Sequence, residues 1–524
     1  MPKTPAKLSN AGKVLKKVLD PYRNLVVVGG NWGDEGKGKI IDLVMAHYDT
    51  TVRFSGGANA GHTVYATNGP DASVGGAKKL VSHLIPCGLA QNKECVMGRG
   101  ELVDIRLFLE ELEAAKKILG KRLPPIHLDQ MSPLWTPWHG LLEAWLEYAR
   151  GKGKVGTTGK GIGPLEGLYK LRIAPLVGQV FLERKKFIGI LELLHKTLLP
   201  IFKEMKAKHL INGSIPTPAE VADQLRAFAP KIKPFIADTS FVLHRAMAKH
   251  QRMLFEGAQA LGLDSRFGTY PFVSSGNSAA FGAAEGTGLP MQSFDATLMV
   301  VKTLPTRVGA GPFPSEMWRR DKAMSFAKDH PDLFQQKKFS GNHPPLSGNL
   351  SPSLPSGGEG DSSRQRFLSA MLQKINSGKA MGAEWSQYFQ VLGDERGATT
   401  GRGRSVGFID IPWLCYAIRI NGPKWLALTR FDMLSGVKNI PVVVGYKLNG
   451  KLLAKGQLPP PWDMEKVEPV FENWPGWSEN IFGINREAAL PNGAKNFLKR
   501  LENHLGVQIL LVGTGPGRED IVVR

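Results

Sequence analysis

The chain has 524 residues, 42% of them hydrophobic and 22% charged. That is long enough to bury a core without disulfides or metals and too ordinary in composition for whole-chain disorder. Its 67 basic residues against 46 acidic ones leave a net charge of +21, a surplus that suits nucleic acid, an anionic membrane surface or small polyanions such as nucleotides.

No apolar run approaches the roughly 18 residues of a membrane span, so no membrane partner is expected. Cys87, Cys95 and Cys415 contain no Cys-x-x-Cys pair and offer neither a disulfide framework nor a zinc ribbon. A reducing, cytoplasmic location is expected. Nucleic acid is not expected as a partner: no RNA-recognition, zinc-finger or helix-turn-helix signature accompanies the charge. The basic residues sit instead beside glycines and threonines in loop-like stretches, which suits phosphorylated small molecules.

Residues 1–24 read as a basic tail, with Lys3, Lys7, Lys13, Lys16, Lys17 and Arg23 against Asp20. They lack the apolar stretch of a secretory signal; a short helix is expected around Gly12–Leu19. Leu25–Val28 then forms an apolar, mostly β-branched run that breaks into Gly29-Gly30 and predicts a buried strand. After the loop Asn31–Lys39, residues Ile41, Val44, Met45 and Tyr48 fall on one face of a helix over 40–48. A second strand is predicted at Thr50–Phe54. Strand, glycine loop, helix and strand open a parallel α/β sheet, with the loop at the carboxyl end of a strand, where such sheets bind ligands.

Further strands are predicted at Met253–Glu256, Thr297–Lys302, Trp425–Thr429 and Ile509–Val512, each ahead of a loop, with helices near Leu102–Ala115 and Ala494–Leu505. The expected fold is one large α/β domain over residues 25–524, with a central mostly parallel sheet and phosphate-binding loops. Roughly two-thirds of Ser340–Ser363 is Ser, Gly or Pro, which predicts a flexible insertion at about 320–392.

Two loops carry chemistry on their own residues. Gly33-Asp34-Glu35-Gly36-Lys37-Gly38-Lys39 departs from the Walker form, since Lys37 is followed by glycine rather than a hydroxyl residue. Its backbone N–H groups and the following helix N-terminus still suit a phosphate, and Asp34 supplies a hard oxygen for Mg²⁺. In Gly56–Thr63, His62 stands among Gly, Asn and Thr, where it can exchange a proton near neutrality.

These two loops resemble the signature loops of adenylosuccinate synthetases. The resemblance continues through Gly156–Pro164, Phe255–Gln259, Gly268–Val273, Thr306–Pro314, Gly397–Arg402, Pro475–Trp477 and Gly513–Pro516. It implies a GTP-dependent ligase that joins L-aspartate to IMP through a 6-phosphoryl intermediate, with one Mg²⁺ per subunit. Asp34 and His62 are the implied catalytic pair, and Asp34 with the Gly61 carbonyl the implied metal ligands. GTP would lie on Gly33, Glu35, Gly36, Lys37, Gly38, Gly61, Thr63, Arg430, Asp432, Gly513 and Gly515. IMP would be held by Asp34, Lys37, Asn59, Thr158, Gln259, Ser274 and Arg402, and by Arg172 reaching from the second subunit of a homodimer. Thr399, Thr400, Arg402 and Arg404 would bind the aspartate carboxylates, for which paired guanidiniums are suited.

The chain also departs from the family pattern. Arg430 replaces a lysine in Thr429-Arg430-Phe431-Asp432, where it could stack on the guanine; Gly513 and Gly517 replace a hydroxyl and an acid. Gly403 and Ser405 replace basic residues, and Ser55 replaces a glutamine. The alternatives are a phage-like enzyme acting on dGMP, possibly with ATP, and an inactive GTP-binding homologue.

Overall fold

The computed structural model describes residues 10–66, 78–120, 122–211, 213–334, 363–396 and 403–524. The sheet strands are β1 (Asn24–Gly29), β2 (Thr50–Arg53), β3 (Glu94–Met97), β4 (Ile126–Asp129), β5 (Ile236–Ala237), β6 (Met253–Glu256), β7 (Ala296–Lys302), β8 (Trp425–Thr429), β9 (Gln508–Gly513) and β10 (Ile521–Val523). They make a ten-stranded sheet in the order β10-β9-β8-β7-β1-β6-β2-β3-β4-β5. The pairs β1–β6, β6–β2, β2–β3, β3–β4, β4–β5, β7–β8 and β8–β9 are parallel, and β9–β10 is antiparallel. The expected α/β class and mostly parallel sheet are present.

The chain divides into two compact units. The first comprises residues up to Pro21, Gly29–Leu43 and Thr297–Arg524. Its strands β7 and β8 are almost wholly buried, which is why they read as continuous apolar runs rather than alternating ones. Helix α1 (Asn10–Leu19) lies in the stretch expected as a tail, and its Leu15 and Leu19 are buried. Helix α2 (Lys37–Val44) starts three residues before the predicted one, so Lys37–Lys39 form its first turn. In the stretch expected as an insertion, residues Arg320–Asp329, Ser363–Asn376 and Gly382–Gly393 are helical. Phe326, Leu333, Phe334 and Val391 make a small core there; residues 335–362 lie outside the described ones.

The second unit comprises Tyr22–Val28 and Val44–Ala296. It carries β1 to β6 and the helices Ile105–Leu119, Pro137–Ala149, Ile162–Lys170 and Arg184–Ala207. Asp104 caps the first of these, accepting from the N–H groups of Arg106 and Leu107. No described helix is long and apolar enough to cross a membrane.

Candidate active site

In the first unit the loop after β1 is drawn tight by its own carboxylate. The N–H groups of Asn31 and Gly33 donate to Glu35 Oε1 at 3.2 and 2.8 Å, and Lys37 Nζ donates to Oε2 at 2.8 Å. Glu35 therefore occupies the donors that a phosphate would seek. The turn needs three left-handed residues in a row of four: Gly33 at φ 93°, Asp34 at φ 59° and Gly36 at φ 80°. The loop is pinned to its surroundings by the Lys302 N–H on Asn31 Oδ1 (2.8 Å), by Thr429 Oγ1 on the Glu35 carbonyl (2.7 Å) and by Trp413 Nε1 on the Gly30 carbonyl (2.8 Å). Trp32 stacks on Trp413 with ring centroids 4.1 Å apart.

Left-handed backbone at Asp34 turns its carboxylate out of the loop, half-exposed, and Arg404 Nε lies 2.7 Å from its Oδ2. Arg404 also reaches Glu395 Oε2 at 3.2 Å, while Lys302 Nζ takes Glu395 Oε1 at 2.7 Å. Glu395 is fully buried. Burial alone would raise its pKa, but Lys302, Arg430 and Arg404 around it hold it at about 2. Of the residues expected to bind aspartate, Arg404 is thus placed beside Asp34; Thr399, Thr400 and Arg402 lie outside the described residues.

The expected nucleobase residues gather at the ends of β8 and β9. Asp432 is half-buried, its Oδ1 is covered and has no partner among the described residues, and desolvation raises its pKa to about 6. Arg430 NH1 donates to the Gly393 carbonyl at 3.0 Å, and its side chain is partly exposed. A Cβ at Gly513 would meet Thr429 Cα at 3.3 Å and Arg430 N at 3.4 Å, a tight but not forbidden fit. Lys39 Nζ donates to the carbonyls of Gly515 and Asp520 at 2.6 and 2.8 Å, and its burial lowers its pKa to about 8.

In the second unit, the parallel register of β6 and β2 sets Glu256 beside Arg53, and register neighbours point to the same face. Arg53 NH1 donates to Glu256 Oε1 at 2.8 Å. The same oxygen is bonded to Nδ1 of His62, which opens the strand His62–Ala66. The Cys87 N–H completes the carboxylate at Oε2, 2.9 Å away. Burial would raise the Glu256 pKa; His62 and Arg53 against it bring it down to about 2. That bond commits Nδ1 to the carboxylate and fixes the orientation of the ring. Sequence reasoning did not assign Glu256, Arg53, Glu395 or Lys302 a role.

The second unit also brings together Asn59, Gln259 and Ser274. Gln259 Nε2 donates to Asn59 Oδ1 at 3.2 Å, and Asn59 Nδ2 to Ser274 Oγ at 3.3 Å. Gln259 Oε1 and Ser55 Oγ are buried without a partner among the described residues. Thr158 and Arg172 are exposed, Arg172 with left-handed backbone at φ 66°. The structure does not bring these two to the Asn59 cluster by any hydrogen bond described.

Comparison with known proteins gives the arrangement a context. The family model described as adenylosuccinate synthetase matches residues 26–522. The adenylosuccinate synthetase of Nitratidesulfovibrio vulgaris is 34% identical over 510 residues, covering 96% of this chain and all of that protein. The enzyme of Neisseria meningitidis is 34% identical over 517 residues, covering 96% and 98%. The structure of the fully ligated adenylosuccinate synthetase from Plasmodium falciparum superposes with a TM-score of 0.72 at 28% identity, over 96% of this chain and 100% of that one. A cyanophage S-2L succinoaminodeoxyadenylate synthetase bound to dGMP and dATP matches at 16% identity and a TM-score of 0.50, over 96% and 95%. That likeness is one of fold alone.

Proposed function

The chain belongs to the adenylosuccinate synthetase family, and from that premise we propose how its residues divide the work. The enzyme is a ligase that forms a C–N bond, with IMP, L-aspartate and GTP as its substrates. The 6-oxygen of IMP is a poor leaving group. Transfer of the γ-phosphoryl of GTP to that oxygen, leaving GDP, turns it into phosphate; the aspartate amine then adds at C6 and phosphate departs. Asp34 takes the N1 proton of the base, which makes the 6-oxygen nucleophilic, and His62 acts as acid toward the transferring phosphoryl group.

The observation that carries this assignment is the His62–Glu256 bond. A buried carboxylate on Nδ1 fixes the ring and favours its protonated form, which an acid catalyst needs. Asn59, Gln259, Ser274, Thr158 and Lys37 bind IMP. The Asp432 carboxylate accepts from the N1 and amino hydrogens of guanine, and Thr399, Thr400, Arg402 and Arg404 hold the aspartate carboxylates. Glu35 must leave the loop N–H groups when the GTP phosphates take them. Asp34 is a hard, half-exposed oxygen donor that suits Mg²⁺, which when bound offsets the charge of the phosphates.

A homodimer in which Arg172 serves the neighbouring subunit completes the proposal. Leu146, Tyr148, Leu171, Phe181, Leu182 and Leu193 are exposed in this part of the second unit. Leu146 and Tyr148 lie on helix Pro137–Ala149 and Leu193 on helix Arg184–Ala207, which pack together.

The dGMP alternative is not favoured, since the likeness to the phage enzyme is one of fold, whereas the matches at 34% identity are adenylosuccinate synthetases. A substrate matrix tests the base preferences: IMP or dGMP with GTP or ATP, aspartate and Mg²⁺, with products identified by mass. Turnover confined to IMP with GTP is expected. Equal turnover with ATP would remove the guanine role from Asp432, and turnover with dGMP would remove the IMP assignment.

A further inference from the structure

Cys87 has no part in the chemistry above, yet its thiol stands among the donors that hold His62. Its Sγ lies 3.1 Å from Glu256 Oε1 and 3.6 Å from His62 Nδ1. The three ligand atoms all lie within 4.8 Å of one another, and all three side chains are buried. Each is carried by a different element: His62 by the strand His62–Ala66, Cys87 by the 3₁₀ turn Cys87–Gln91, Glu256 by the end of β6.

One nitrogen, one sulfur and one oxygen make a three-ligand set of the zinc type, with Arg53 NH1 beside it, 3.3 Å from His62 Nδ1. Bond lengths of about 2.0–2.3 Å put neighbouring ligand atoms about 3.4–3.6 Å apart in a tetrahedral site. The Cys87–His62 edge already has that length, and the other two need to open by no more than about 1 Å. Imidazole with thiolate selects a borderline or soft ion over Mg²⁺.

We propose that His62, Cys87 and Glu256 form an inhibitory site for a borderline or soft divalent cation such as Zn²⁺ or Cd²⁺. Arg53, 2.8 Å from Glu256 Oε1, already places one positive charge there, so the ion enters by exchange. The thiol proton and the proton on Nδ1 leave as the two-fold charge arrives, and the local charge is unchanged. The arriving ion takes the Nδ1 position that Glu256 now holds, and the ring becomes a neutral metal-bound imidazole in place of an imidazolium, a far weaker acid for the role proposed. Binding rests on the three donors alone; inhibition rests also on the catalytic role proposed for His62.

The test is titration of the metal-stripped full-length protein with Cd²⁺ and with Co²⁺. Expected are one ion per chain, a thiolate-to-Cd²⁺ charge-transfer band and tetrahedral Co²⁺ absorption. Both signals vanish in Cys87→Ser, persist in Cys415→Ser and Cys95→Ala, and require at least about tenfold more metal in Glu256→Gln. Cys87→Ser is nearly isosteric and decides the matter even where Glu256→Gln fails to fold. Absence of the band from the parent protein, or its persistence in Cys87→Ser, overturns the site. A Cys87-dependent band with undiminished turnover at saturating Zn²⁺ upholds the site and overturns instead the catalytic role of His62.

Discussion

Arg404 Nε lies 2.7 Å from Asp34 Oδ2, while its NH1 lies 3.2 Å from Glu395 Oε2. One guanidinium thus holds the proposed base and a buried acid at once. A substrate carboxylate must compete with both for it. Arg404→Leu is expected to raise the KM for aspartate by about 10- to 100-fold, the worth of a charged hydrogen bond, with a much smaller effect on the KM for IMP. Arg404→Lys should not restore it, because an ammonium lacks the fork that spans two oxygens. An aspartate KM unchanged in Arg404→Leu would remove Arg404 from the substrate site.

The proposed acid–base pair, Asp34 and His62, makes a second prediction. Asp34→Ala and His62→Ala should each abolish turnover with the circular-dichroism spectrum unchanged. Glu256→Gln leaves the ring in place but takes away the charge that favours its protonated form, and kcat should fall by about 10²- to 10⁴-fold. Its pH–rate profile should fall off at lower pH on the alkaline side, where the acid must still be protonated, a shift that mere loosening of structure would not give.

Asp432 links nucleotide affinity to pH. Burial places its pKa at about 6. In the role proposed for it, the carboxylate accepts guanine's hydrogens above that value; as pH falls through it, the proton added removes one acceptor. The KM for GTP should therefore rise on acidification from about pH 7 to about pH 5. Asp432→Asn should flatten that dependence and raise the KM by about 10- to 100-fold at neutral pH. A GTP KM flat across this range would contradict the assignment.

Two buried glutamates set the acid limit of stability. Glu256 and Glu395 sit near pKa 2 in the folded protein against an ordinary 4.5. Depressed acids stabilise the fold fully above the ordinary value, and that stability is lost as pH falls towards the folded one. Urea unfolding should show stability falling steeply below about pH 4.5. In Glu395→Gln this slope should be shallower. The variant should also be about 3–5 kcal/mol less stable at neutral pH, because the buried Lys302 then lacks its partner.

Subunit exchange tests the dimer. Arg172→Ala and Asp34→Asn are each expected to be inactive. In a mixed dimer, the chain that keeps Asp34 receives Arg172 from its neighbour. Random re-association should restore about a quarter of the wild-type sites, half of the sites in half of the dimers. No recovery from demonstrably mixed dimers would place Arg172 in its own subunit's site.

The residues legible in the sequence are those whose role is local. Leu25–Val28 breaking into glycines predicts β1 and the loop after it, and Ile41, Val44, Met45 and Tyr48 are all buried as their spacing implies. Even there the helix begins at Lys37, because nothing in the glycine-rich signature announces a first helical turn. Short strands such as Ile236–Ala237 give no pattern long enough to read. The partners of His62 were hidden for another reason. Glu256 is 194 positions away, and only the strand register of β6 on β2 sets it beside Arg53. Lys302 and Glu395 are likewise joined across 93 positions. Such pairs belong to topology, and no local period encodes them. Arg430 shows the same limit: residue type suggests that it could stack on a base, and only the structure shows its left-handed backbone and its bond to the Gly393 carbonyl.

The stacked indoles behind the phosphate loop have an optical consequence. Trp32 belongs to the loop itself, and Trp413 is bonded to the loop's first glycine, with the ring planes inclined by 27°. Transition dipoles this close couple strongly, so the pair absorbs as a unit whose rotational strength depends on the angle between the rings. When Glu35 gives up the backbone donors to an incoming phosphate, any turn of Trp32 against Trp413 is written into the protein's own ultraviolet spectrum. The loop carries an intrinsic chromophore for its own occupancy.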